Sequence, residues 1–272
     1  MATNNQPDTK SDQLFIHYGP KQRLIAWISR TFFDNVTYTV RDGKLAGLKR
    51  KGGLGWLPAF LTAANPSPEE MFWHNINLQG RTAYDIGAFH GLLTLLFSQR
   101  ASQVVAFEPN AKNRARLEVN LKINGIRNVL VRGVALGAQP GVGQMIWDAA
   151  SPGGARVVSG SSGGEGIEIG TLDQEVAAGL VLPDFVKIDV EGFEQQVLEG
   201  GRETFTRLRP ELFIEIHGNT MNEKKKNVAA VVKLLLGFGY ERIVHIESGT
   251  LIDESNSAHA CRGHLHCPQR SS

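Results

Sequence analysis

A chain of 272 residues with 42% hydrophobic side chains can bury one substantial core, which fits a single α/β domain with an N-terminal extension better than two complete domains. Its 29 Lys and Arg nearly balance 27 Asp and Glu, so no global field draws it to nucleic acid or to an anionic membrane. Two cysteines, Cys261 and Cys267, exclude a disulfide framework, and no run reaches the roughly 20 apolar residues of a membrane span.

The first thirteen residues are polar and lack the basic start and apolar stretch of a secretory signal, so the expected compartment is the cytoplasm. Leu24, Ile25, Ile28 and Phe32 recur at helical spacing and predict a short amphipathic helix. Residues 36–40 and 45–49 flank Arg41-Asp42-Gly43, and Asp-Gly favours a tight turn, so a β-hairpin is expected. Gly52, Gly53 and Gly55 before Trp56 and Pro58 mark a loop. Ser67-Pro68-Glu69-Glu70 combines a capping serine, proline at the first helical position and early acids, which predicts a helix to Asn75. Residues 1–66 thus read as tail, helix and hairpin, and residues 67–272 as the main domain.

From Arg81 onward, short apolar runs alternate with helical stretches. This is the pattern of a Rossmann-like α/β domain with a mostly parallel, doubly wound sheet. Strands are expected near 82–86, 103–107, 128–132, 185–190, 211–217 and 242–246, with helices near 91–100, 110–123, 193–207 and 223–237. Between Val134 and Thr171 the rhythm breaks. Gly143 to Trp147 could add a strand, and the Gly- and Ser-rich residues 151–166 read as a lid or a disordered loop.

Four strand ends carry the polar chemistry. The first strand runs through Asp85 into Gly87-Ala88-Phe89-His90-Gly91, where glycines let backbone approach a ligand and the helix start offers amides. Phe at position 89 breaks Gly-x-Gly-x-x-Gly, which counts against a dinucleotide pyrophosphate grip. The second strand ends in Glu108, followed by Pro109 and Asn110; an acid there is placed to hold ribose hydroxyls. The third ends in Asp189-Val190-Glu191-Gly192. Its two carboxylates could divide proton and cofactor duties, or both bind a divalent cation. The fourth ends in Glu215-Ile216-His217, with His217 the leading candidate for a general base and Glu215 on its side of the strand. A hydrogen-bonded pair at a strand end is the competing reading of those two.

Together Asp85-Ile86-Gly87-Ala88, Phe107-Glu108-Pro109-Asn110, Thr171-Leu172-Asp173, Lys187 to Glu194 with Leu198 and Gly200, and Arg209-Pro210 followed by Glu215-Ile216-His217 resemble the FkbM-type methyltransferases. The resemblance spans roughly residues 67–246. It implies a class I methyltransferase fold and methyl transfer from S-adenosylmethionine, commonly to hydroxyls of sugars or natural products. It also implies that Asp85, Gly87, Ala88 and Gly91 hold the methionine part, Glu108, Pro109 and Asn110 the ribose side, and Ala135 with Leu136 the adenine side. Asp189 then stands between cofactor and acceptor, and His217, Asp189 and Glu191 are the candidate catalytic residues. The family usually has Asn where Phe89 stands, so that cofactor contact is replaced here. A nicotinamide-dependent oxidoreductase and a catalytically inactive scaffold are the rival readings.

His259, Cys261, His264, His266 and Cys267 could in principle ligate zinc, but their spacing matches no zinc module. A terminal strand with a polar tail is expected instead, and no metal is assigned.

Overall fold

The computed structural model describes residues 35–41, 43, 45–52, 67–147, 155–159 and 165–269. The helix expected around Leu24 to Phe32 and the loop at Gly53 to Pro58 lie outside the described residues.

A two-stranded hairpin comes first, β1 (Thr37–Thr39) and β2 (Lys49–Lys51), paired antiparallel with Thr39 opposite Lys49. The second strand therefore starts where the sequence pattern ends it. Residues 45–47 make the turn instead, with Leu45 tucked into the core and Gly47 supplying a φ of +88°. What sets this register is a pair of asparagines from the main domain, Asn120 and Asn124, which claim the β2 backbone.

Helix α1 (Pro68–Asn75) forms as predicted, closed by a capping box in which Ser67 Oγ accepts from Glu70 N–H and Glu70 accepts from Ser67 N–H. Then come β3 (Thr82–Ile86), α2 (Leu92–Ser98), β4 (Gln103–Phe107), α3 (Ala111–Ile123) and β5 (Val129–Arg132). A smaller unit follows: β6 (Ala135–Leu136), β7 (Gly141–Trp147), β8 (Ala155–Ser159) and β9 (Glu165–Gly170). The chain returns through α4 (Leu172–Ala177), β10 (Phe185–Ile188), α5 (Glu194–Gly200), α6 (Arg202–Leu208), β11 (Glu211–Glu215), α7 (Met221–Gly237), β12 (Val244–His245) and β13 (His264–Cys267).

The main sheet has the order β12-β13-β11-β10-β3-β4-β5, with β13 antiparallel between β11 and β12 and the five strands from β11 to β5 parallel. Alternation along each strand feeds two cores. Tyr84, Ile86, Val186, Ile188 and Ile214 join Val197, Phe205 and Val232 on one face. Ala83, Val104, Phe185 and Phe213 join Trp73, Leu95, Phe97 and Leu117 on the other. Helices thus cover both faces, as a buried parallel sheet requires. The order reverses beside β3, which places a crevice at the carboxyl ends of β3, β4, β10 and β11.

Two further expectations are corrected. The single helix over 193–207 is two, because a side chain at Gly200 would strike the Gly137 carbonyl and one at Gly201 would press into Phe205 and Leu172. The close approach needs glycine twice, and the chain bends there. Asp173 of the Thr-Leu-Asp motif then caps α6, accepting from the Glu203 and Thr204 N–H groups and from the Thr204 hydroxyl. Nor are residues 151–166 one loop. β8 pairs antiparallel with β7, and β9 begins at Glu165, within a four-stranded sheet of order β6-β9-β7-β8. The Val157-Val158 pair and the alternation of Ile167 and Ile169 with polar neighbours suit strands, a signal masked by the surrounding Gly and Ser.

The hairpin docks on α3 through side chains that imitate a strand edge. Asn124 accepts from Lys49 N–H at 2.7 Å and donates to Lys49 C=O at 2.7 Å, while Asn120 accepts from Lys51 N–H and donates to the His90 carbonyl. Asn124→Ala should weaken this docking by about 1–2 kcal/mol, seen as faster hydrogen exchange at the Lys49 amide with global stability nearly unchanged. Unaltered exchange would mean that the hairpin is held by other contacts.

Candidate active site

The crevice is organised by a charged residue in the middle of an apolar strand. Lys187 on β10 lies opposite Asp85 on β3, is only 3% exposed, and has its ammonium 3.2 Å from both Asp85 and Asp189. It also donates to the Gly87 carbonyl at 2.8 Å. Burial works to lower its pKa, but Asp189 and Asp85 outweigh burial and hold it above the ordinary lysine value. Asp85 is fully buried and accepts from the Thr94 hydroxyl as well. Lys187 stood in the sequence motif without a role; a lone cation in a Phe-Val-Lys-Ile strand between two acidic strand ends was the available signal.

Gly87 follows Asp85 at a φ of +80°, and a Cβ there would collide with the Asp189 backbone carbonyl. Its N–H and that of Ala88 both reach the Phe107 carbonyl at 3.0 Å. Gly91, at a φ of +84°, leaves room for Leu117 of α3. These glycines are thus required first by backbone approach between strands and by helix packing. Between them Phe89 adopts a φ of +50°, is 41% exposed and stacks on His90 at 3.8 Å. A non-glycine residue in this region stores strain that local structure must hold.

The holder is Glu108. One carboxylate oxygen accepts from Phe89 N–H at 2.7 Å, and the other from Asn110 N–H at 2.9 Å and Asn113 Nδ2 at 3.4 Å. Burial raises its pKa, against the pull of those donors and of Lys187. Pro109 lies between Glu108 and Asn110, and its carbonyl and that of Glu108 accept from Arg114. Asn110 caps α3 by accepting from Asn113 N–H. Ala135 and Leu136 are buried in the short β6, which pairs with β9.

On the other side of Asp189 the chain turns through Glu191, at a φ of +53°, and Gly192, at +97°. This turn sets Glu191 beside His217. The imidazole is ringed by four carboxylates: Nδ1 is 2.9 Å from Glu194, and Nε2 lies 3.4 Å from Glu215, 3.7 Å from Asp189 and 3.9 Å from Glu191. Glu194 is fully buried and is held by Asn227 and by the Gly192 N–H, while Asn227 also donates to the His217 carbonyl. Glu194 stood in the sequence motif without a role of its own, and Asn227 was not singled out; Asn227 sits inside α7, where spacing alone gives no hint of the crevice.

Burial alone would lower the His217 pKa, yet Glu194, Glu215 and Asp189 together raise it well above the ordinary value. The surrounding carboxylates thus favour the charged ring, the form without the free lone pair that a resting general base needs. Glu215, despite burial, is held far below the carboxylate range by His217 and His264. Burial raises Glu191 beyond the opposing effect of His217, with Asp189 and Glu215 adding to the rise. Asp189, Glu215 and His217 also present donor atoms within 4.8 Å of one another, a set able to hold a metal ion. The Cys and His residues near the C-terminus do not form such a set among the described residues. Cys261 and Cys267 are buried free thiols, and His266 pairs with Glu211 at 2.8 Å.

The sequence model described as "Methyltransferase FkbM domain" matches residues 85–242, more than half of the chain. Among solved structures, methyltransferase FkbM from Methylobacillus flagellatus is 17% identical, covering 74% of this chain and 50% of that chain with a TM-score of 0.47. The present chain thus spans half the length of that relative. A precorrin-6y C5,15-methyltransferase from Geobacter metallireducens is 16% identical, covering 63% and 68% with a TM-score of 0.38. A Streptococcus mutans protein solved in complex with SAH is 14% identical, covering 67% and 88% with a TM-score of 0.40. No curated protein matches the sequence.

Removing one partner of a buried ion cluster leaves the others uncompensated. Lys187→Met is expected to lower stability by about 3–5 kcal/mol in urea denaturation, and a loss below about 1 kcal/mol would show that water reaches the two aspartates.

Proposed function

The chain belongs to the FkbM methyltransferase family, and on that premise we propose that it binds S-adenosylmethionine over β3 and β4 and methylates a hydroxyl oxygen of a saccharide or natural product. The observation that carries this reading is the meeting, at one sheet edge, of a glycine turn, the Glu108 carboxylate and an acidic pocket around His217. When bound, the cofactor supplies an electrophilic methyl group, so the protein has to orient the acceptor oxygen and take up its proton.

The residues suit both halves of that task. Glu108 Oε2 accepts one backbone amide and keeps a second lone pair for a ribose hydroxyl. Asp85, Gly87, Ala88 and Gly91 shape the methionine side, Pro109 and Asn110 fix the Glu108 corner, and Ala135 lines the adenine side. Exposed Phe89, standing where the family usually has Asn, offers an apolar ring in place of an amide. On the acceptor side the charged His217 donates toward the incoming oxygen and Asp189 orients it. Glu191, with its raised pKa and partial exposure, is the proton acceptor. The role of base thus passes from His217 to its neighbour. Residues 67–272 form the catalytic domain in this reading, and the β7–β8 hairpin region overlies the acceptor. A nicotinamide enzyme is set aside with the family assignment.

Among the described residues no helix is long and apolar enough to cross a membrane, and a cytoplasmic location is proposed from the two free, buried cysteines. The second reading concerns a divalent cation at Asp189, Glu215 and His217, which the donor geometry favours. There it would replace the Nε2 proton and act as a point charge toward the acceptor oxygen.

Calorimetric titration with S-adenosylmethionine is expected to show saturable binding that Glu108→Ala weakens, with no binding of NAD or NADP. Binding of NAD alone would overturn the proposal. With an acceptor in hand, Glu191→Gln should lower kcat by about 10²–10⁴-fold at unchanged cofactor affinity. An equal loss in both would place Glu191 in cofactor binding instead.

A further inference from the structure

The carboxylates around His217 continue onto strands that the family match, ending at residue 242, does not include. Glu215 closes β11, and the antiparallel register sets His264 of β13 directly opposite it. His264 Nε2 lies 3.7 Å from one Glu215 oxygen, and His217 Nε2 lies 3.4 Å from the other. One carboxylate is thus held between two imidazoles. Behind it, His264 Nδ1 lies 2.6 Å from Glu247, and the His264 N–H donates to the second Glu247 oxygen at 2.9 Å. Glu247 is 3.0 Å from His245 Nε2, which also meets the Arg262 carbonyl. Gly263, at a φ of +106°, makes room for this arrangement, since a Cβ there would run into the Glu247 carboxylate. The His264 ring rests 4.8 Å from that of Phe213. His264 and His245 are both buried.

We propose that His264, braced by Glu247 and His245, is a positioning residue of the active site: it fixes the Glu215 carboxylate so that this carboxylate holds His217 toward the acceptor side. Strand pairing uses only the His264 backbone, yet its ring lies against two carboxylates, one inside the crevice and one outside it. Without His264, Glu215 is free to turn about its terminal torsion, whose rotation is broad, and Glu194 alone would orient His217. The role in catalysis rests on the methyl-transfer reading; the geometric coupling does not.

The test uses the full chain, labelled for 1H–15N spectra of histidine rings, with His217 signals identified by their loss in His217→Gln. S-adenosylhomocysteine affinity is measured in parallel by calorimetry. His264→Ala is expected to shift the His217 Nε2 resonance and leave the affinity unchanged, and His264→Gln, whose amide can still donate to Glu215, to restore the wild-type position. An unmoved His217 resonance in folded His264→Ala overturns the proposal. Should that variant not fold, Glu247→Gln carries the same reading, because its side chain is 31% exposed at the rim. Absence of S-adenosylhomocysteine binding by the wild-type chain would remove the methyltransferase reading, while the His217 shift would still decide the coupling.

Discussion

A single buried ammonium joins the strands on which the crevice depends. Taking Lys187 out of water costs several kcal/mol, and only close carboxylates and carbonyls can offset that. Asp85 and the Gly87 carbonyl at the end of β3, and Asp189 at the end of β10, provide them. The same requirement fixes where β3 and β10 stop relative to each other. Gly87 completes the arrangement by leaving space for the Asp189 carbonyl, so charge compensation and backbone approach enforce one geometry.

From that point the crevice divides by its electrostatics. Toward β4 the polar groups are satisfied by backbone amides, with Glu108 as an acceptor gathering the glycine turn and the start of α3. Toward β11 four carboxylates crowd one imidazole and favour its charged form. One side of the crevice thus presents backbone dipoles gathered by a single carboxylate, the other a cluster of side-chain charges around one ring.

Much of this was legible in the sequence because the strand ends carry their chemistry in contiguous runs. Asp85 with Gly87, Glu108 with Asn110, and Asp189 with Glu191 could be placed on one sheet edge from the βαβ rhythm alone, and the sheet brings them together. What escaped was set by contacts between distant segments. The strand at Lys49–Lys51 is positioned by Asn120 and Asn124, some seventy residues later. The break at Gly200 and Gly201 comes from the Gly137 carbonyl. The contact of Glu194 with His217 joins the start of α5 to a strand end 23 positions later, and nothing in the spacing pairs the two. Spacing reports on periodicity within an element, not on which partner an element meets.

The place of β13 carries a consequence for how the molecule comes together. It follows every other strand of the sheet in chain order, yet it lies between β11 and β12 rather than at a margin. While it is absent, two backbone edges stand open and Glu215 lacks its second imidazole. Unpaired edges of that kind invite pairing with foreign chains, and a slot that must be filled by a distant, late-emerging segment slows folding. On the ribosome, then, the parallel core can form early, but a nascent chain stays vulnerable to association until β13 has slid into its slot.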